Sequence, residues 1–225
     1  ALSQTNSLIR EVTDSFEVYE FHRGVQELNR FCSNVLSSTY HDIIKDRLYT
    51  LHPNDPKRRS TQTALHFIFE SLIKILGPIA PFTADEAWTY HKFGKDLGED
   101  ALALQNWPKI KEDWSNGIEI SDAQSILSFK ESRVNEILES LRERKEIGQS
   151  LEAEIKLKLP VSHPLTKIFK NRSDELAEMF IVSNVELVEV SNGDEIQVLA
   201  QHASGKRCPR SWRWVPELVN IEPWG

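Results

Sequence analysis

Ala153-Glu154-Ile155-Lys156-Leu157-Lys158-Leu159 alternates apolar and polar residues without interruption. A period of two sends successive side chains to opposite faces, so this stretch predicts a half-buried strand. Upstream of Gly148 the apolar residues recur instead every three or four positions, which is the helical period. The change of period divides the chain and predicts its class: mainly α, an antiparallel helical bundle followed by a small α+β unit.

After the strand, Pro164–Lys170 and Asp174–Phe180 read as two short helices. Val185–Val190 and Glu195–Leu199 then flank Asn192-Gly193, a dipeptide suited to a tight turn, and predict a β-hairpin. Before the strand, Leu127, Val134, Leu138 and Leu141 share one face of a long helix over Asp122–Ile147. Gly94–Gly117 is irregular, with at most a short strand at Ala101–Gln105. From Thr5 to Tyr49 the pattern is helical, and Phe21, Val25, Leu28, Cys32 and Val35 fall on one face, so Cys32 reads as inert core. His52-Pro53-Asn54-Asp55-Pro56 breaks that run. A helix over Lys57–Leu76 buries Leu65, Ile68, Leu72 and Ile75 or Leu76, and ends at Gly77-Pro78. Thr83-Ala84-Asp85-Glu86 has the spacing of a capping box, predicting a helix through Trp88 to about Lys92. The domains that follow are a bundle at 1–116, an α+β unit at 117–203 and a tail at 204–225.

Composition narrows the functional classes. The chain has 225 residues, 40% of them hydrophobic and 27% charged, enough for a packed core and unlike a disordered chain. No apolar run is long enough to span a bilayer and no export signal opens the sequence, so a cytoplasmic location without membrane contact is expected. The start, Ala1-Leu2-Ser3, reads as the edge of a piece cut from a longer chain. Only Cys32 and Cys208 are present, which is no disulfide framework. A net charge of −7 argues against indiscriminate nucleic-acid binding, although a local basic patch is compatible with it.

Catalytic motifs are missing: there is no Gly-rich phosphate loop, dinucleotide fingerprint or nucleophile elbow. The histidines are scattered; His22 and His41 read as helix surface or satisfied core positions, and His66 as packing beside core positions. Cys208-Pro209-Arg210-Ser211 has the outline of half a zinc knuckle, but Ser211 is not a zinc ligand and no second cysteine pair follows, so zinc and other metals are not expected.

Positive charge is unevenly placed. Lys45 and Arg47 precede the proline break and Lys57, Arg58 and Arg59 follow it; Arg142, Arg144 and Lys145 end the long helix. Lys206, Arg207, Arg210 and Arg213 interleave with Trp212 and Trp214, with no acidic residue among them. Cations for phosphates and ring faces for unstacked bases are what RNA recognition requires. Each group also has a structural reading: a solvated first turn at 57–59, a solvated face at 142–145, tryptophans docked on the body.

Tyr19-Glu20-Phe21-His22-Arg23, Phe31-Cys32 and Asp42-Ile43-Ile44-Lys45-Asp46-Arg47-Leu48-Tyr49 resemble the anticodon-binding domain of bacterial-type isoleucyl-tRNA synthetases. Pro78–Trp88 is similar to the segment that closes the bundle in related class I synthetases, and Gly148-Gln149-Ser150-Leu151-Glu152-Ala153 to the isoleucyl family's junction. Arg207-Cys208-Pro209-Arg210-Ser211-Trp212 resembles that family's C-terminal zinc segment, here with a single cysteine, which implies a tail that is metal-free or partly disordered.

The resemblance implies a non-catalytic part of a parent isoleucine–tRNA ligase. ATP and Mg would be used by a catalytic core absent from this piece, which itself needs no cofactor. The implied partners are an isoleucine-accepting tRNA and the catalytic and editing domains of the parent chain. Phosphates of the anticodon stem and loop would meet Lys45, Arg47, Lys57, Arg58 and Arg59, while Arg210, Trp212 and Arg213 approach the loop. Lys45–Tyr49 has a structural alternative, with Asp46 paired to a basic neighbour and Leu48 and Tyr49 sealing the helix end. A valyl- or leucyl-type module and a protein-interaction scaffold that never touches RNA are the competing readings.

Overall fold

A computed structural model describes residues 1–92, 98–115, 117–191 and 195–218. The chain forms two compact units. The first contains Ala1–Asp42 and Pro53–Asn116; the second contains Ile43–His52 and Gly117–Gly225. Ile43–His52, which the sequence suggests is part of the first bundle, therefore packs with the C-terminal half.

In the first unit, α1 (Leu2–Glu17) packs on α2 (Phe21–Arg30) and on α4 (Pro56–Leu76). The helical run expected over Thr5–Tyr49 is broken at Tyr19, which has φ +61° and reverses the chain between α1 and α2. Gly24 is where the two helices touch: an added Cβ would lie 2.6 Å from the Phe16 ring. Phe31–Tyr40 is a π-helical stretch, with wider turns than an α-helix. The buried positions are consequently Leu28, Phe31 and Leu36, the last two separated by five residues, and Cys32 is exposed rather than core.

Helix α4 is capped by the Asp55 carboxylate, which accepts from the Lys57 amide at 2.8 Å and the Arg58 amide at 3.4 Å, and Pro56 occupies its first turn. Ile68 and Ile75 join Leu8, Ile9 and Val12 of α1 in one core. Ile73 joins Ala84, Trp88 and Leu102 in another. Helix α5 spans Pro81–His91, starting two residues before the predicted capping box. With Pro81 already fixing φ in the first turn, no side chain caps this helix, and Thr83 lies inside it. Ala101–Gln105 contains a 3₁₀ turn at Leu102–Leu104, not a strand. The irregular segment is tied to α1 instead. Asn6 is buried and its amide both donates to Lys111 O (2.8 Å) and accepts from Lys111 N (3.0 Å), while Trp107 Nε1 donates to Thr13 Oγ1 at 2.8 Å.

In the second unit, α6 (Gly117–Phe129), a π-helical turn (Lys130–Val134) and α7 (Asn135–Glu143) make up the long helix, which ends four residues before Ile147. Lys145 at φ +59° turns the chain out of it. Strand β1 (Ala153–Pro160) has Ala153, Ile155, Leu157 and Leu159 fully buried, as its alternation requires. Helices α8 (Pro164–Asn171) and α9 (Ser173–Phe180) then return the chain to β2 (Asn184–Val190), and β3 (Gln197–His202) completes the sheet.

The sheet order is β2-β1-β3, with β1 parallel to β2 and antiparallel to β3. The predicted hairpin is therefore wrong. β2 and β3 are not neighbours, because the most buried strand lies between them and pairs with both. Asn192-Gly193 lies outside the described residues. Phe129, Phe169 and Phe180 stack at centroid separations of 5.1–6.4 Å to join helices and sheet. No helix among the described residues is long and apolar enough to cross a membrane.

Candidate nucleic-acid interface

Helix α3 (His41–Tyr49) and the C-terminal tail meet within the second unit. Ile44 is almost fully buried and fixes one face of α3; Lys45 and Tyr49 are exposed. Arg47 binds Glu178 of α9 through Nε (2.8 Å) and Nη2 (2.5 Å). Asp46 accepts from Arg213 Nε at 2.5 Å, and Arg213 Nη1 donates to Val182 O at 2.6 Å. Arg210 donates to Tyr49 O from Nη2 at 3.1 Å and Nε at 3.3 Å. Five charged side chains, Asp46, Arg47, Glu178, Arg210 and Arg213, thus clamp the C-terminal half of α3 to α9 and the tail.

The tail is a small hairpin. Strand β4 (Lys206–Arg207) pairs antiparallel with β5 (Trp214–Val215). The intervening turn is closed by Trp212 N to Cys208 O (2.9 Å) and Cys208 N to Arg213 O (2.8 Å). Gly205 is obligatory: its φ is +102°, and an added Cβ would sit 2.2 Å from Val215 O. Trp214 donates its amide to Ser183 Oγ at 2.7 Å and packs edge-on against His202 at 4.5 Å, which anchors the hairpin. The outline of a zinc knuckle is thus preserved around one cysteine, with Ser211 N directed at Cys208 Sγ at 3.5 Å.

Hydrogen bonds from Ser211 hold the Cys208 thiol below its ordinary pKa, whereas desolvation pushes the Cys32 thiol up. Because the thiolate is the reactive form, Cys208 should be alkylated several-fold faster than Cys32 at neutral pH, and the gap should narrow above both pKa values. Peptide mapping after iodoacetamide treatment reads both rates; equal rates at pH 7, or a faster Cys32, would refute this ordering.

The sequence-derived site residues fall into three settings. Arg47 and Arg213 are mostly buried in ion pairs, with side-chain exposures of 22% and 17%, and their first task is to hold the unit together. The pairing of Asp46 with Arg213 matches the structural alternative for this segment, although Tyr49 is exposed and seals nothing. Lys57, Arg58 and Arg59 form the first turn of α4 in the first unit, with Lys57 and Arg59 exposed and Arg58 partly buried. Lys45 and Arg210 are exposed in the second unit.

Trp212 is 52% exposed at φ +62°, and the Arg207 guanidinium lies over its ring at 5.4 Å. A bulky residue in the left-handed region costs roughly 1–3 kcal/mol. Here the β4–β5 pairing imposes that conformation and turns the ring outward. Exposed Tyr49, Arg207, Arg210 and Trp212 thus share one small unit that offers ring faces and cations together. The sequence places Lys206 and Arg207 in the basic tail without making them candidate contacts, and reads Tyr49 as sealing a helix end. His66, also read as packing, is exposed and faces His91 across 4.9 Å.

Comparison with known proteins identifies the family of the chain. The family described as "Anticodon-binding domain of tRNA ligase" matches residues 1–157. An isoleucine–tRNA ligase of Fervidobacterium nodosum is 36% identical over 226 residues, 99% of this chain and 24% of its own length. Isoleucine–tRNA ligases of Thermotoga petrophila and Caldanaerobacter subterraneus are 34% and 32% identical, again over 99% of this chain and 24% of theirs. The chain spans about a quarter of the length of these relatives. With the helical match covering more than half of its residues, the chain belongs to the anticodon-binding domain family of tRNA ligases.

Proposed function

We propose that the chain is the tRNA-holding module of an isoleucine–tRNA ligase. It grips the anticodon stem and loop while ATP-dependent charging occurs on a catalytic core elsewhere in the parent protein, in the cytoplasm. The observation that carries this reading is the alignment with isoleucine–tRNA ligases along 99% of the chain, across both compact units. The basic and aromatic tail supports it chemically. Lys45, Lys57, Arg58, Arg59, Arg207 and Arg210 supply phosphate contacts that set register; Trp212 supplies a stacking face for an unpaired base. Arg47 and Arg213 contribute indirectly, by fixing α3 and the tail hairpin.

The test is binding to an isoleucine-accepting tRNA, to the same tRNA with an altered anticodon, and to an unrelated tRNA across a salt series. Discrimination is expected, with affinity falling by about 0.7 to 0.9 log units per phosphate contact for each log unit of salt. Equal binding to all three would remove the anticodon from the reading. No binding at low salt would favour a scaffold role.

A further inference from the structure

Helices α4 and α5 bring together three side chains to which the proposed function assigns no role. His66 and Glu70 stand one turn apart on α4, and His91 closes α5. His66 Nε2 and His91 Nε2 each lie 3.8 Å from Glu70 Oε1, and the three ligand atoms are all within 4.8 Å of one another. We propose that His66, Glu70 and His91 form a binding site for a divalent transition-metal ion such as Zn²⁺ or Ni²⁺, which ties α4 to α5.

Two imidazoles and one carboxylate are a ligand set that zinc and nickel accept, with remaining positions left for water. Tetrahedral bonds of about 2.0–2.1 Å hold donor atoms about 3.4 Å apart, so the site must contract by roughly 0.4 Å between each imidazole and the carboxylate and by up to about 1.4 Å between the two imidazoles. That adjustment falls on the exposed His66 and on a Glu70 side chain that is 25% exposed, so it needs only rotamer changes.

The surroundings suit an ion. The Phe69 ring lies 4.9 Å from His91 and the Trp88 ring 5.9 Å, walling one side with apolar surface. Burial, with His66 and Lys92 nearby, holds His91 below its ordinary pKa and favours the neutral imidazole that a metal needs. Lys92 Nζ is the competitor, 3.6 Å from Glu70 Oε1. It also lies 4.7 Å over the Trp88 ring, where it can remain when an ion takes the carboxylate.

The intact chain, stripped with chelator, would be titrated calorimetrically with Zn²⁺ and Ni²⁺. One equivalent should bind and raise the Tm. Loss of a direct ligand should weaken binding at least as much as loss of an outer-shell partner, so His66→Ala and Glu70→Gln should each lower affinity by at least about 10- to 100-fold. Both residues lie at the solvent side, so their variants should fold, and circular dichroism without metal checks this; His91→Ala is the third variant. Cys208→Ala should bind as the parent does. No saturable binding by the parent, undiminished binding by His66→Ala and Glu70→Gln, or loss of binding in Cys208→Ala would overturn the assignment. None of these readouts involves tRNA.

Discussion

Arg213→Ala should destabilise the second unit by about 2–4 kcal/mol, read as a lowered urea midpoint with an unchanged slope. The guanidinium serves two partners at once, the Asp46 carboxylate at 2.5 Å and the Val182 carbonyl at 2.6 Å. Removing it leaves a carboxylate that is 23% exposed without its counterion and a carbonyl without its donor. Breaking a fully buried pair costs about 3–5 kcal/mol, and residual water at this site brings the expectation somewhat below that range. Arg133 and Glu195 offer the internal control: they are 46% and 79% exposed, so Arg133→Ala should change stability by about 0.5 kcal/mol or less. If the two variants unfold at the same midpoint, the clamp on α3 contributes nothing measurable.

The largest effect on RNA should come from the tail. Arg207→Gln, Arg210→Gln and Trp212→Ala together are expected to weaken tRNA binding by two to three orders of magnitude. One lost base stack accounts for about 1–3 kcal/mol. Two lost phosphate contacts should flatten the salt dependence by about 1.4 to 1.8 log units per log unit of salt. Arg207 and Trp212 are exposed, while loss of the Arg210 hydrogen bonds to Tyr49 O should lower the melting temperature modestly, and circular dichroism checks that the variant is folded. Filter binding against an isoleucine-accepting tRNA at several salt concentrations measures both quantities. An unchanged slope with unchanged affinity would place the RNA face elsewhere, with Lys57, Arg58 and Arg59 the next residues to replace.

Local signals in the sequence were reliable where a single period governed a whole element. The alternation from Ala153 to Leu159, the proline break before α4 and the two short helices after Pro164 all match the structure to within two residues. What stayed hidden depended on partners distant in the chain. Asn192-Gly193 advertised a hairpin, yet β1 inserts between the flanking strands, a choice made by sheet packing and not by the turn. The π-helical stretch over Phe31–Tyr40 shifted the buried face by one residue and exposed Cys32, since hydrophobic spacing alone does not separate turns of 3.6 residues from wider ones.

The candidate site was legible in its residue types but not in their roles. Arg210 and Trp212 could be picked out because basic and aromatic residues alternate there. That Arg213 is spent on Asp46, 167 residues away, has no local signature. The same limit hid His66, Glu70 and His91, whose third member comes from another helix.

That long separation also shapes how the chain is made. Ile43–His52 is synthesised before the rest of its unit, whose other residues begin at Gly117. At translation rates of about 5–20 residues per second, Asp46 leaves the peptidyl-transferase centre on the order of 8–30 seconds before its partner Arg213. Until residues from Gly117 onward emerge, α3 lacks the remainder of the unit in which Ile44 is buried. A ribosome paused between those two codons would carry a chain whose first helices can already pack while α3 waits, the interval in which a holding chaperone has most to bind.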